Sequence, residues 1–302
     1  EKNINDYLIN QFNKMTGYIY MVFSAFFFCL MTIFVKLAGN ELQTIQIVFF
    51  RGVFTLLTTY YLIKKYNASI WGNYRGVLFL RGITGSIALF FVYESLQRIS
   101  IPEATVIQYL YPIFTAIFGL FLLNEKLSRN IIVAIFFGLA GVYTIFEFPF
   151  ILSNESILIE DLSIALIGAC LTGAAYVLVR KASKLGESPY TIMFYFPLFS
   201  VLISLPFMFS TWTMPSILCW IYIFFVGVFT QLGQLFLTFG YKILPAGKAA
   251  STSYVQVPFS IIAGMILFND SLTLHFVIGS VVIFFSIFLI INDKNKNLNN
   301  YS

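Results

Sequence analysis

Residues 101–128 read IPEATVIQYLYPIFTAIFGLFLLNEKLS, and residues 244–273 read LPAGKAASTSYVQVPFSIIAGMILFNDSLT. Each stretch opens with a proline (Pro102, Pro245) among small residues, then runs into an apolar helix broken by one internal proline, Pro112 or Pro258. Each closes on an asparagine followed by an acid, Asn124-Glu125 or Asn269-Asp270, before a further apolar run. Self-similarity at about half the chain length signals a duplicated architecture. The chain reads as two matched halves.

Working outward, the same texture covers the rest of the sequence. The 302 residues are 59% hydrophobic and 10% charged, with a mean hydropathy of +0.86. A soluble domain carries about 25% charged residues, so no water-facing surface could be made from this composition. The apolar runs have the length that a helix needs to cross about 30 Å of hydrocarbon. They predict an all-α integral membrane protein with ten transmembrane helices, at 17–37, 44–63, 76–96, 103–123, 130–147, 160–180, 189–209, 216–239, 249–268 and 273–291. The longest polar break falls in the middle. The expected layout is a cytoplasmic N-terminal segment 1–16, a five-helix repeat 17–147, an extracytoplasmic linker 148–159, a second five-helix repeat 160–291 and a cytoplasmic tail 292–302, with both polar ends mobile. An odd number of spans per half turns the second half upside down relative to the first. Such inverted repeats enclose a central cavity in many secondary transporters.

Charge placement gives orientation. Lys64, Lys65, Arg75, Lys126, Arg129, Lys181, Lys184, Lys242 and Lys248 all fall on the side of the chain termini, whereas the central loop and its flanks carry Glu155, Glu160 and Asp161. That bias places both termini in the cytoplasm of a multi-pass plasma (inner) membrane protein. It is a topology signal, not a nucleic-acid footprint. Cys29, Cys170 and Cys219 lie in or beside apolar runs, at spacings that fit neither disulfides nor a zinc site. Small residues four apart, as in Ala165-Ala169-Gly173, Gly82-Ser86 and Ala134-Gly138, predict close helix contacts in lipid.

Polar groups within the spans are the candidate functional residues. Pro112 frees the carbonyl of Gln108, and Pro258 frees that of Tyr254. Around these breaks lie Gln108, Tyr109 and Tyr111, then Ser251, Ser253, Tyr254 and Gln256, which either line a wet cavity or are satisfied by neighbouring helices. Arg51 and Arg81 are mid-span arginines, each costing at least ~2.5 kcal/mol unless paired or wetted. Arg51 either attracts an anionic group or pairs with Glu94; Arg81 either attracts an anionic group or snorkels or caps nearby helix ends. Glu94 and Glu103 are either proton carriers or, respectively, an ion-pair partner and a favourable charge at a helix N-terminus. Gln231 and Gln234 share a helix face and either bind substrate or tie helices together. His275 is expected at the interface.

The motifs FFRGVF around Arg51, RGITGSIALFFVYESLQRISIPEATVIQYLYPIFTAIFGLFLLNEKLS, GLAGV at 138–142 and QLGQLFLTFGYKILPAGKAASTSYVQVPFSIIAGMILFND together resemble the drug/metabolite transporter superfamily, in its EamA-type ten-helix form. The resemblance spans 17–291. It implies inverted repeats, a central cavity and alternating access, with substrates that include amino acids, S-adenosylmethionine, nucleotide-sugars, sugars and drugs. The stretches IQIVFFRGVF and IMFYFPLFSVLISLP are similar to S-adenosylmethionine carriers. Where the family pattern commonly has Glu, this chain has Asp270.

The expected function is therefore a secondary active transporter of a small polar or zwitterionic metabolite, working as a monomer or homodimer among membrane lipids. Spans 3, 4, 8 and 9 are expected to line the cavity, with Arg51, Gln108, Tyr111, Gln231, Gln234, Tyr254 and Gln256 as contacts. No catalytic residue, metal or cofactor is called for. An intramembrane enzyme is the alternative, disfavoured by the scarcity of intramembrane acids and histidines; a channel or a non-transporting scaffold is the other.

Overall fold

The computed structural model describes residues 2–99, 101–148, 151, 158–209, 212–268 and 273–293, without the side chains of 2–14, 96, 97, 101–103 and 268. The Glu103 side chain, Asn269, Asp270, most of the expected linker and the end of the tail lie outside the described residues. The helices are α1 (Lys2–Ala38), α2 (Thr44–Lys65), α3 (Arg75–Arg98), α4 (Ile101–Gln108), α5 (Tyr111–Leu123), α6 (Arg129–Ile145), α7 (Ile159–Lys184), α8 (Pro189–Met208), α9 (Ile217–Ile243), α10 (Ala246–Thr252), α11 (Gln256–Phe268) and α12 (Leu274–Ile291). Among the described residues, nine stretches are long and apolar enough to cross a membrane, and the shorter apolar Arg129–Ile145 makes the tenth span. The broken fourth span is α4 plus α5, and the broken ninth is α10 plus α11. Helix α1 begins at Lys2, ahead of its apolar stretch Met15–Ala38.

Local chemistry sets the helix ends. Ser128, Ser216 and Thr273 each accept a hydrogen bond from the backbone N–H three residues on, satisfying a donor that the first helical turn leaves unpaired. At the other kind of end, Asn124 takes the left-handed conformation (φ 53°) that asparagine tolerates and stops α5.

Which helices touch shows the two-fold relation of the halves. By span number the main pairings are 1 with 8, 3 with 6, 2 with 7 and 5 with 10. Exchanging each span for its repeat equivalent turns the first pairing into the second and leaves the other two unchanged. Small residues allow these approaches. A Cβ at Gly173 would sit 2.7 Å from Phe114 and 2.9 Å from the Thr115 nitrogen, and Gly141 and Gly279 face each other's carbonyls across spans 5 and 10. The outward side chains include Phe121, Phe136, Ile266, Val281 and Phe288, as a lipid-facing perimeter requires. This is a multi-pass, all-α membrane protein.

Candidate functional site

On α2, Arg51, Thr55 and Thr59 recur every fourth residue and so share one face. That face looks across at α8, whose internal Pro197 has no N–H to give and therefore leaves the Met193 carbonyl without its helical partner. The third wall is α9, with Thr230, Gln231 and Gln234. Together they enclose a neck of only ≈ 10 Å³, about one water molecule's worth of space. Within it Gln231 Nε2 donates to Thr59 Oγ1 at 3.0 Å. A wider cavity of ≈ 110 Å³ adjoins the neck at Ser200 and extends between α2, α3 and α8 to Thr44, Tyr93 and Glu94, at the helix ends away from the chain termini.

The span hydroxyls of Thr58, Ser204 and Thr238, and of Thr55 at the neck, bond back to the carbonyl four residues earlier, as such groups do in lipid. Ser200 Oγ and Thr230 Oγ1, both lining the neck, are buried without a hydrogen-bond partner among the described residues.

Arg51 is 6% exposed, and its closest polar contact is Nη1 to Met31 Sδ at 3.8 Å. Arg81 is 3% exposed; its guanidinium lies over the Phe196 ring, 4.9 Å from the centroid, with Nε unpartnered. Neither has a carboxylate partner among the described residues. The pairing of Arg51 with Glu94 is not formed, because Glu94 lies one helical turn from Arg98 and bonds it at 2.8 Å. Arg98 also reaches Asp161 at 3.3 Å, and these hydrogen bonds raise its pKa. Nor does Arg81 snorkel: its guanidinium packs against Gly85, one turn further into the membrane. Tyr176 on α7 is within electrostatic reach of both arginines.

The other expected contacts gather elsewhere. The Tyr254 hydroxyl donates to the Tyr109 carbonyl at 3.2 Å, and their rings stack at 5.8 Å. Pro112 leaves this region short of donors, and Ile113 N–H turns to Leu110 rather than Tyr109, so the second half fills a vacancy in the first. Gln108 Nε2 donates to Thr172 Oγ1 at 3.2 Å, and Tyr111 packs edge-on against Tyr176 at 5.4 Å. Gln256 is half-buried at the start of α11. Of the seven expected contacts, Arg51, Gln231 and Gln234 thus come together at the neck, while Gln108, Tyr111, Tyr254 and Gln256 belong to the span 4 and 9 wall. His275 is half-exposed and 3.7 Å from Glu147.

Sequence reasoning missed Thr55, Thr59, Pro197 and Ser200. The signal was available: polar residues at 51, 55 and 59 on one face, and a proline in span 7 with a serine three residues on.

The halves are tied most firmly at the face carrying the chain termini. Arg180 Nε bonds Glu125 at 2.9 Å, and Arg180 also holds the carbonyls of Tyr241 and Lys242 at the end of α9. Glu125 in turn accepts from Ala246 N–H at 2.7 Å, capping α10. Glu187 accepts from the N–H groups of Asn73 and Tyr74, both at 2.6 Å, just ahead of α3. At the opposite face Glu41 to Ser216 and Arg98 to Asp161 are exposed ties, while buried Gln46 exchanges hydrogen bonds with the Thr213 backbone.

Comparison with known proteins completes the picture. The sequence model of the EamA-like transporter family matches residues 15–147 and again 161–292. The chain is 26% identical over 269 residues to the pseudopaline exporter CntI of Pseudomonas aeruginosa (strain UCBPP-PA14), covering 89% of this chain and 93% of that one. It is 30% identical over 266 residues to human solute carrier family 35 member G1, covering 84% and 73%. It is 27% identical over 271 residues to the S-adenosylmethionine uptake transporter of Rickettsia prowazekii (strain Madrid E), covering 87% and 88%. A protein crystal structure with 15% identity superposes with a TM-score of 0.76 over 89% of this chain, a likeness of fold. With both halves matched by one family and relatives that are transporters rather than enzymes, the chain is a member of the EamA-like transporter family.

Proposed function

We propose that this protein is a secondary transporter that carries a small polar metabolite through the crevice between α2, α8 and α9, by rocking its two halves about that crevice. The observation that carries the reading is the buried, carboxylate-free Arg51 at the neck, reached from one face by the ≈ 110 Å³ cavity. The buried Arg180–Glu125 pair at the termini face and the cavity that reaches the opposite helix ends support a state closed at the former. The basic loops favour both termini in the cytoplasm, so this state faces outward from the plasma membrane. Among relatives, one is named for export of pseudopaline and one for uptake of S-adenosylmethionine, so likeness alone favours neither direction. In this reading Arg51, Gln231 and Gln234 contact substrate, with Thr55, Thr59 and Ser200 beside them. Tyr111 and Tyr254 belong to the wall that the neck moves against.

Counterflow decides the matter. Purified protein in liposomes loaded with a metabolite extract should accelerate entry of labelled extract components saturably, and a substrate gradient should drive uphill flux. Flux that rises linearly with concentration, without trans-acceleration, would point instead to a channel.

A further inference from the structure

We infer that the neck is an anion receptor: the transported molecule presents an anionic oxygen group, carboxylate or phosphate, to Arg51, and the crevice selects for net negative charge. The inference rests on the transporter reading and narrows its substrate class. Two guanidiniums lie in the interior, 6% and 3% exposed, with no acid beside them among the described residues. An unpaired buried charge is destabilising, and it persists where something outside the fold supplies the counter-charge. Three groups with hydrogens to give are left over at the neck, Arg51 itself, Ser200 Oγ and Thr230 Oγ1, beside the Met193 carbonyl and the Gln234 amide. These two hydroxyls forgo the backbone carbonyls that their neighbours use, so their protons are free for an acceptor. A guanidinium with convergent hydroxyl donors is the donor set that a carboxylate or phosphate takes up.

Arg81 adds to this from behind Phe196. Its charge covers one face of the ring, and the same Phe196 lines the neck. In so poor a dielectric two like charges close to one ligand repel a cation and hold an anion. The nearest acid on the cavity wall, Glu94, is engaged by Arg98 at the outer rim, where it offers no compensation at the neck. A cationic metabolite such as S-adenosylmethionine is therefore disfavoured as cargo.

The test uses the full-length purified protein and a metabolite extract split by ion exchange into anionic, neutral and cationic fractions. Thermal unfolding and liposome counterflow are each measured with all three, and the anionic fraction is also tested after phosphatase treatment. Expected is stabilisation and exchange with the anionic fraction alone. Its effective affinity should fall about 10- to 100-fold in Arg51→Gln, less in Arg51→Lys and Arg81→Gln, as for loss of charged hydrogen bonds. Loss on phosphatase treatment assigns a phosphate ester; persistence assigns a carboxylate. The ligand-free Arg51→Gln protein should melt no lower than wild type, which a merely structural arginine would not allow, and Thr230→Val gives a second variant that keeps both charges. Exchange confined to the neutral or cationic fraction, or anion stabilisation unchanged in Arg51→Gln, overturns the inference and leaves the transporter reading intact. Anion stabilisation abolished in Arg51→Gln but no exchange with any fraction keeps the receptor and overturns transport. No response to any fraction overturns both.

Discussion

Two pairs of repeat-equivalent spans face each other across this molecule, and they settle their polar groups in opposite ways. Where spans 4 and 9 meet, each helix is broken, yet polar groups beside the breaks find partners: Tyr254 O–H reaches the Tyr109 carbonyl, and Gln108 Nε2 reaches Thr172 on span 6. Where spans 2 and 7 meet, with span 8 beside them, the leftovers remain: Arg51, Ser200 Oγ and Thr230 Oγ1 have no partner of matching chemistry among the described residues. A satisfied break is architecture. An unsatisfied one beside a cavity is a vacancy that a ligand or water can fill.

The contrast can be broken most forcefully at Tyr254. It is fully buried, its ring lies against Gly138 and Tyr109, and truncation to alanine removes a large core side chain. Tyr254→Ala should destabilise by about 3–5 kcal/mol, the range for large aromatic truncations, read as a lower melting temperature in detergent. The next effect is at the face carrying the chain termini. Glu125→Gln removes the charge that Arg180 and the α10 N-terminus share; breaking a buried pair is worth about 3–5 kcal/mol, less what Arg180 recovers from the Tyr241 and Lys242 carbonyls. On the alternating-access reading this loss should favour the conformer open at the termini face. A cysteine placed at Thr59 should then label faster from that side. Labelling at the wild-type rate would separate Glu125 from the closure. At the neck, Arg51→Gln should reverse the pattern of Tyr254→Ala, with transport falling about 10- to 100-fold while the melting temperature holds.

Most of the fold was legible because membrane crossing imposes length and apolarity together. Spans expected at 44–63, 130–147, 189–209 and 273–291 are Thr44–Lys65, Arg129–Ile145, Pro189–Met208 and Leu274–Ile291. That α1 begins at Lys2 was not legible, because polarity says nothing for or against continuing a helix beyond the bilayer. Site residues were legible in proportion to their cost in lipid. Arginines and glutamines announce themselves, so Arg51, Gln231 and Gln234 stood out. Thr55, Thr59 and Ser200 did not, because a hydroxyl in a membrane helix normally satisfies itself on its own backbone and leaves no trace of purpose. The tyrosines drew attention through the proline breaks. What a sequence does not reveal is that Tyr254 of one half spends its hydroxyl on a carbonyl of the other; that depends on how the halves dock.

The subtlest test separates ring from hydroxyl at that docking point. Tyr254→Phe keeps the packing on Gly138 and the stack on Tyr109 but withdraws the donor from the Tyr109 carbonyl. In a wet wall, water would replace the lost donor and the melting temperature would not move. In a dry wall the carbonyl is stranded, and the protein should lose about 1–3 kcal/mol, the desolvation penalty of an unpaired buried acceptor. Because Tyr254 and Tyr109 belong to opposite halves, the loss also loosens the joint on which the halves would turn. Transport at saturating substrate would then change in rate, whereas Arg51→Gln should act chiefly on apparent affinity. If Tyr254→Phe instead weakened affinity and left stability alone, the wall of spans 4 and 9 would be part of the binding site, and the division between a satisfied break and a vacant one would fall.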